Sequence, residues 1–182
     1  YNSSGVQQWV KVYAGSGGYL DDPKDIVADQ SGNIYIAIAS DYSYAGKYGI
    51  IKYNSAGDSL WTRIYDFAVP GFETPYAITL DNGGNVISTG SSGYENESEY
   101  GTIKYNSSGV LLWARKFYGS QLVNDVANGM VTDKNGNVYT VGTSRTNYGD
   151  NITVIKYNSD GVEKWVHIRG GGGVTGYDVR DE

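Results

Sequence analysis

Three acids, Asp21, Glu73 and Asp125, stand at steps of 52 residues, and Asp178 falls close to the next step. Carboxylates gathered at one rim could hold a cation such as Ca2+ or draw in a basic ligand. A local role is equally simple: an acid just before a strand can tie the preceding loop to its own backbone. A second set, Asp29, Asp81 and Asp133, keeps the same step within "DQSGN", "DNGGN" and "DKNGN". A calcium loop needs several oxygen ligands at alternating positions. These stretches offer few acids, and their Gly-Asn pairs suit positive φ, so they read as tight turns. The single histidine, His167, has no cysteine partner for an ordinary zinc site. No GxSxG turn accompanies it for nucleophilic work.

Lysine and aromatic residues form a third candidate. The stretch "TIKYNSSGVLLWARKFYG" (102–119) mixes Lys104, Tyr105 and Trp113 around a polar turn. Its pattern returns as "IIKYNSAGDSLWTRIY", "VIKYNSDGVEKWVHIRG" and, in part, "YNSSGVQQWVKVYAG". Trp9, Trp61, Trp113 and Trp165 keep the step of 52, as do Lys52, Lys104 and Lys156. A catalytic site is usually unique in a chain, whereas a feature copied this often belongs to a scaffold. The aromatics therefore read as packing between repeats. Each lysine should meet an Asp or a turn carbonyl, within one unit or across a boundary.

Composition narrows the classes. The 182 residues include 26 glycines and 18 tyrosines but three prolines and no cysteine. Disulfides and thiolate chemistry are excluded. The net charge is −6 without a basic cluster, which argues against nucleic acid as a partner. No apolar run is long enough for a membrane span.

The elements that must position these residues are short. In the third unit, strands are expected over 126–133, 137–144, 151–157 and 162–169, separated by Gly, Asn, Asp and Ser turns. Four antiparallel strands per 52 residues describe a β-propeller blade. The expected fold is all-β, with about 3.5 blades: a strand d within 1–14, blades near 24–65, 76–117 and 126–169, and a tail, 170–182, leading to a next blade. The chain reads as a window on a longer propeller. A cut blade leaves an unpaired edge, which invites association with another chain or with the remainder of a longer one.

"DKNGNVYTVGTS" followed by "IKYNSDGVEKW" and a glycine-containing link resembles the SBBP repeat of seven-bladed β-propellers. The resemblance covers nearly the whole chain. It implies a bacterial protein that is secreted or displayed at the cell surface, often large, with a binding role. A weaker similarity is to quinoprotein propellers, whose tryptophan-docking motif sets Trp four residues after Gly. Gly5–Trp9, Gly57–Trp61, Gly109–Trp113 and Gly161–Trp165 match it. That motif implies an indole wedged between neighbouring blades.

Differences among the copies point to function. The a–b and c–d turns barely change. The b–c segments (40–48, 91–100, 144–151) and the d–a segments ("GSGGYLDD", "FAVPGFET", "GSQLVND") differ strongly. Both variable sets fall on one end of every blade. Tyr19, Tyr42, Tyr44, Tyr48, Tyr94, Tyr100 and Tyr148 concentrate there, and Tyr-rich loops on a rigid sheet suit recognition. The expectation is a non-catalytic scaffold that binds protein or glycan through this end, without a cofactor. The alternative is a propeller enzyme, quinoprotein or glycan-active, with its site at the channel mouth.

Overall fold

The computed structural model describes residues 1–13, 15, 21–40, 46–67, 71–94, 97–119, 124–146, 149–170 and 179–181. Three antiparallel meanders account for nearly all of them. The first contains β1 (Asp22–Ala28), β2 (Ile34–Ser40), β3 (Lys47–Tyr53) and β4 (Ser59–Tyr65). The second contains β5 (Phe72–Leu80), β6 (Val86–Tyr94), β7 (Glu97–Tyr105) and β8 (Leu111–Phe117). The third contains β9 (Asp125–Thr132), β10 (Val138–Thr146), β11 (Gly149–Tyr157), β12 (Glu163–Gly170) and a short β13 (Val179–Asp181).

The turns explain why these strands end where they do. Asp29 Oδ1 accepts the amides of Ser31 and Asn33, and Gly32 follows at φ +76°. Asp81 and Asp133 repeat this arrangement, and Asn54, Asn106 and Asn158 use their amide oxygens in the same way between the third and fourth strands. A short acceptor side chain and a glycine free to take positive φ close each turn.

The sheets stack face to face. β5 packs on β1, β2 and β3, and β9 packs on β5, β6 and β7. Tyr35, Ala37, Tyr48, Ile50, Ile78, Val86, Ile103 and Tyr105 fill the first junction. Ile87, Tyr100, Trp113, Phe117, Ala127, Val138, Ile155 and Tyr157 fill the second. Each junction pairs a tyrosine with a glycine. The Tyr48 hydroxyl donates to Gly101 O at 3.1 Å, and a Cβ on Gly90 would lie 2.9 Å from that hydroxyl. Tyr100 meets Gly142 likewise, at 2.6 Å from such a Cβ.

Residues 6–13 pair with no strand among the described residues. They still lie on the first sheet, through the Trp9 Nε1 bond to Ser55 O at 3.1 Å. The described part of the tail carries β13, which pairs with β12, His167 opposite Val179 and Trp165 opposite Asp181, where an open edge offers unpaired backbone groups. The b–c segments are also less loop-like than expected. Ser91 to Tyr94 pair with Tyr100 to Glu97 in one continuous ladder, and Ser144 to Thr146 pair with Asn151 to Gly149.

Candidate functional site

The repeated residues come together at the uniform end of the stack. Trp61 Nε1 donates to Ser107 O at 3.1 Å, and Trp113 Nε1 donates to Ser159 O at 3.0 Å. Each indole covers the turn glycine of the next sheet. A Cβ on Gly161 would sit 2.6 Å from Trp113, and one on Gly109 would sit 3.1 Å from Trp61. Lys52 Nζ shares Ser107 O at 2.9 Å, and Lys104 Nζ shares Ser159 O at 3.2 Å. Lys104 also pairs with Asp81 at 2.8 Å, both side chains being buried. Burial alone would raise the Asp81 carboxyl, but hydrogen bonds from Asn85 and Lys104 outweigh it and hold the group below its ordinary range.

The partner of each Asp depends on one neighbouring residue. Tyr35 and Tyr139 direct their hydroxyls to Asp29 and Asp133, at 3.4 and 3.1 Å. Lys52 and Lys156 then lie over those two rings, at 4.8 and 5.2 Å from the centroids. In the second sheet Ile87 takes the tyrosine position, and Lys104 reaches Asp81 directly. These contacts tie turn to strand within each sheet, while Lys52 and Lys104 also reach a turn carbonyl of the next sheet. Trp165 packs edge-on against His167, 4.7 Å between centroids, with Tyr139 at 6.0 Å.

Asp21, Glu73 and Asp125 each serve their own loop. Each accepts the backbone amide six residues upstream: Gly15 N at 2.8 Å, Phe67 N at 2.8 Å and Gly119 N at 2.6 Å. Asp21 also accepts the Ser40 hydroxyl at 2.9 Å. Glu73 and Asp125 are each 2 % exposed. Burial raises the Glu73 carboxyl to about 7 and the Asp125 carboxyl to about 6. Among the described residues no three acids or histidines cluster. Asp178 lies outside the described residues.

At the variable end a groove of about 420 Å³ opens between the second and third sheets. Phe72, Thr74 and Tyr76 of β5 line it, with Ser91, Gly93 and Tyr94 of β6, Ser98 of β7, and Asn124 and Val126 beside and on β9. Residues 72, 74 and 76 alternate onto one side of β5. The ladder between β5 and β6 slips at Tyr76, and such bulges re-aim a side chain. The same slip recurs in β1 and β9, where Lys24 and Asn128 occupy the position. Phe72, Tyr76 and Tyr94 keep 43, 41 and 53 % of their surface exposed. Asn124 Oδ1 is shielded from solvent without a hydrogen-bond partner among the described residues.

Of the seven tyrosines expected at a binding face, Tyr94 lines this groove. Tyr48 and Tyr100 are corrected: both are fully buried, because their strands run past the expected loop boundaries and aim the rings into the next sheet. Burial drives both hydroxyls well above their ordinary pKa. Tyr19, Tyr42, Tyr44 and Tyr148 lie outside the described residues. Phe72, Tyr76 and Asn124 were missed. The signal was a break in the repeat: the copies carry Leu20, Phe72 and Asn124 at one position and Lys24, Tyr76 and Asn128 at another.

Among the described residues no helix is long and apolar enough to cross a membrane. No curated protein matches the chain. Residues 8–37 and 112–149 match the SBBP beta-propeller repeat, and the stack of three antiparallel sheets is consistent with partial propeller blades.

Proposed function

We propose that the chain is a non-catalytic propeller scaffold that binds protein or glycan through its variable end, within a larger secreted or surface-displayed bacterial protein. The groove between the second and third blades carries this reading. It sets three exposed rings and several uncharged polar groups on rigid strands, the usual composition of a recognition site. Glu73 and Asp125 are buried, and each gives one carboxylate oxygen to an amide of its own loop rather than to the groove. The same end is where the copies diverge most, so the scaffold leaves it open to selection for a ligand.

The test compares the two ends. Glycans and surface proteins are screened against the protein and against Tyr94→Ala and Val110→Ala, the latter an exposed side chain on a uniform turn. The expected result is a ligand whose affinity falls about tenfold with Tyr94→Ala and is unchanged by Val110→Ala. Interactions that all survive Tyr94→Ala and Tyr76→Ala would overturn the proposal.

A further inference from the structure

We propose that the groove between the second and third blades is a subsite for an uncharged pyranose oligosaccharide; this rests on the variable end being the binding end. Three observations narrow the ligand class. The first is the lining. Phe72, Tyr76 and Tyr94 offer flat apolar surfaces, and sugar rings present C–H faces that pack on such rings. Thr74, Ser91 and Asn124 supply hydroxyl and amide groups between them, suited to sugar hydroxyls that both donate and accept.

The second observation is charge. Among the described residues, none lining the groove is ionisable in the neutral range. The neighbours Glu73 and Asp125 turn their carboxyls away, into the loops they cap. A uronate or sialylated glycan would find no cation in this lining, and a basic peptide would find no accessible anion.

The third observation is uniqueness. The first blade has Leu20, Lys24 and Tyr42 where the second has Phe72, Tyr76 and Tyr94, and the third has Asn124, Asn128 and Thr146. The three rings converge in one blade alone. Packing that repeats elsewhere therefore does not require them.

Titration calorimetry of the protein with neutral oligosaccharides tests this, using cello-, malto- and chito-hexaoses followed by a wider panel of uncharged glycans. Oligogalacturonate serves as the charged control. The expected result is binding of at least one neutral series. Tyr76→Ala and Tyr94→Ala should each weaken it about tenfold, while Tyr94→Phe, which keeps the ring, retains most of the affinity. Thermal melting of all variants should match the parent. Binding of the charged control alone, of no neutral glycan, or equally by the alanine variants would overturn the proposal. A protein ligand lost on Tyr94→Ala, with no neutral glycan bound, would sink the glycan assignment and leave the recognition face standing. Loss of neither kind of binding would remove both.

Discussion

The two ends of the blade stack are built from similar residue types and use them in opposite ways. At the uniform end, Trp61, Trp113, Lys52 and Lys104 are consumed: each donates to a turn carbonyl of the next blade. At the variable end, Phe72, Tyr76 and Tyr94 keep large exposed surfaces beside uncharged polar groups. Aromatic and polar side chains in proximity therefore do not by themselves mark a site. What separates the ends is how much of each side chain is left facing solvent rather than covered by the next blade.

Breaking the uniform end should cost stability without touching recognition. Trp113→Ala removes a buried indole and its bond to Ser159 O, and should destabilise by about 3–5 kcal/mol in chemical denaturation. Any groove ligand should bind the remaining folded fraction unchanged. Lys104→Met leaves Asp81 buried without its ion pair and should cost about 3 kcal/mol. Lys52→Met loses mainly the bond to Ser107 O and should cost about 1 kcal/mol. Equal losses in these two variants, measured by the same denaturation, would show that the ion pair is not what distinguishes the blades.

Acidity sharpens the contrast. The Glu73 carboxyl titrates near 7 when folded and near its ordinary 4.5 when unfolded. Between those values the folded chain holds a proton that the unfolded chain has released. Stability is therefore highest at the acid side of that window and falls as pH rises through it. Asp125, raised from 3.8 to about 6, adds a slope of the same sign. Glu73→Gln should flatten the fall by on the order of 2 kcal/mol, read from denaturation midpoints across pH 4.5 to 7. A slope unchanged in that variant would place the titrating group elsewhere.

The repeat made the uniform end legible because packing there imposes the same residues on each copy: Trp, Lys, turn Asn and turn Gly recur at a fixed step. Strand limits at the other end were harder. Ser91, Ser92, Gly93 and Glu97 are weak strand formers, yet they pair in register with β7 or β6. Ser98 further anchors this hairpin by donating to Asp125 O at 3.2 Å. Tertiary contacts thus extended the strands and carried Tyr48 and Tyr100 inward. The role of the acids was visible as one of two alternatives. Spacing alone did not show which way the carboxyls turn, since that depends on a loop amide six residues upstream. Tyr76 stayed hidden because its exposure follows from a bulge, which leaves no composition signal of its own.

The tyrosine and glycine pairs across blade junctions have a consequence for how such a chain can change. Tyr48 fits against Gly90, and Tyr100 fits against Gly142. The first blade carries Ile38 at the glycine position, and the third carries Ile152, 62 % exposed, at the tyrosine position. The copies are thus not interchangeable. Placing the first blade behind the second would drive Tyr100 into Ile38. Setting the third before the second would leave Ile152 to fill a space shaped for a larger ring. Side-chain volume at each junction would therefore limit which exchanges of blades along the chain could still pack.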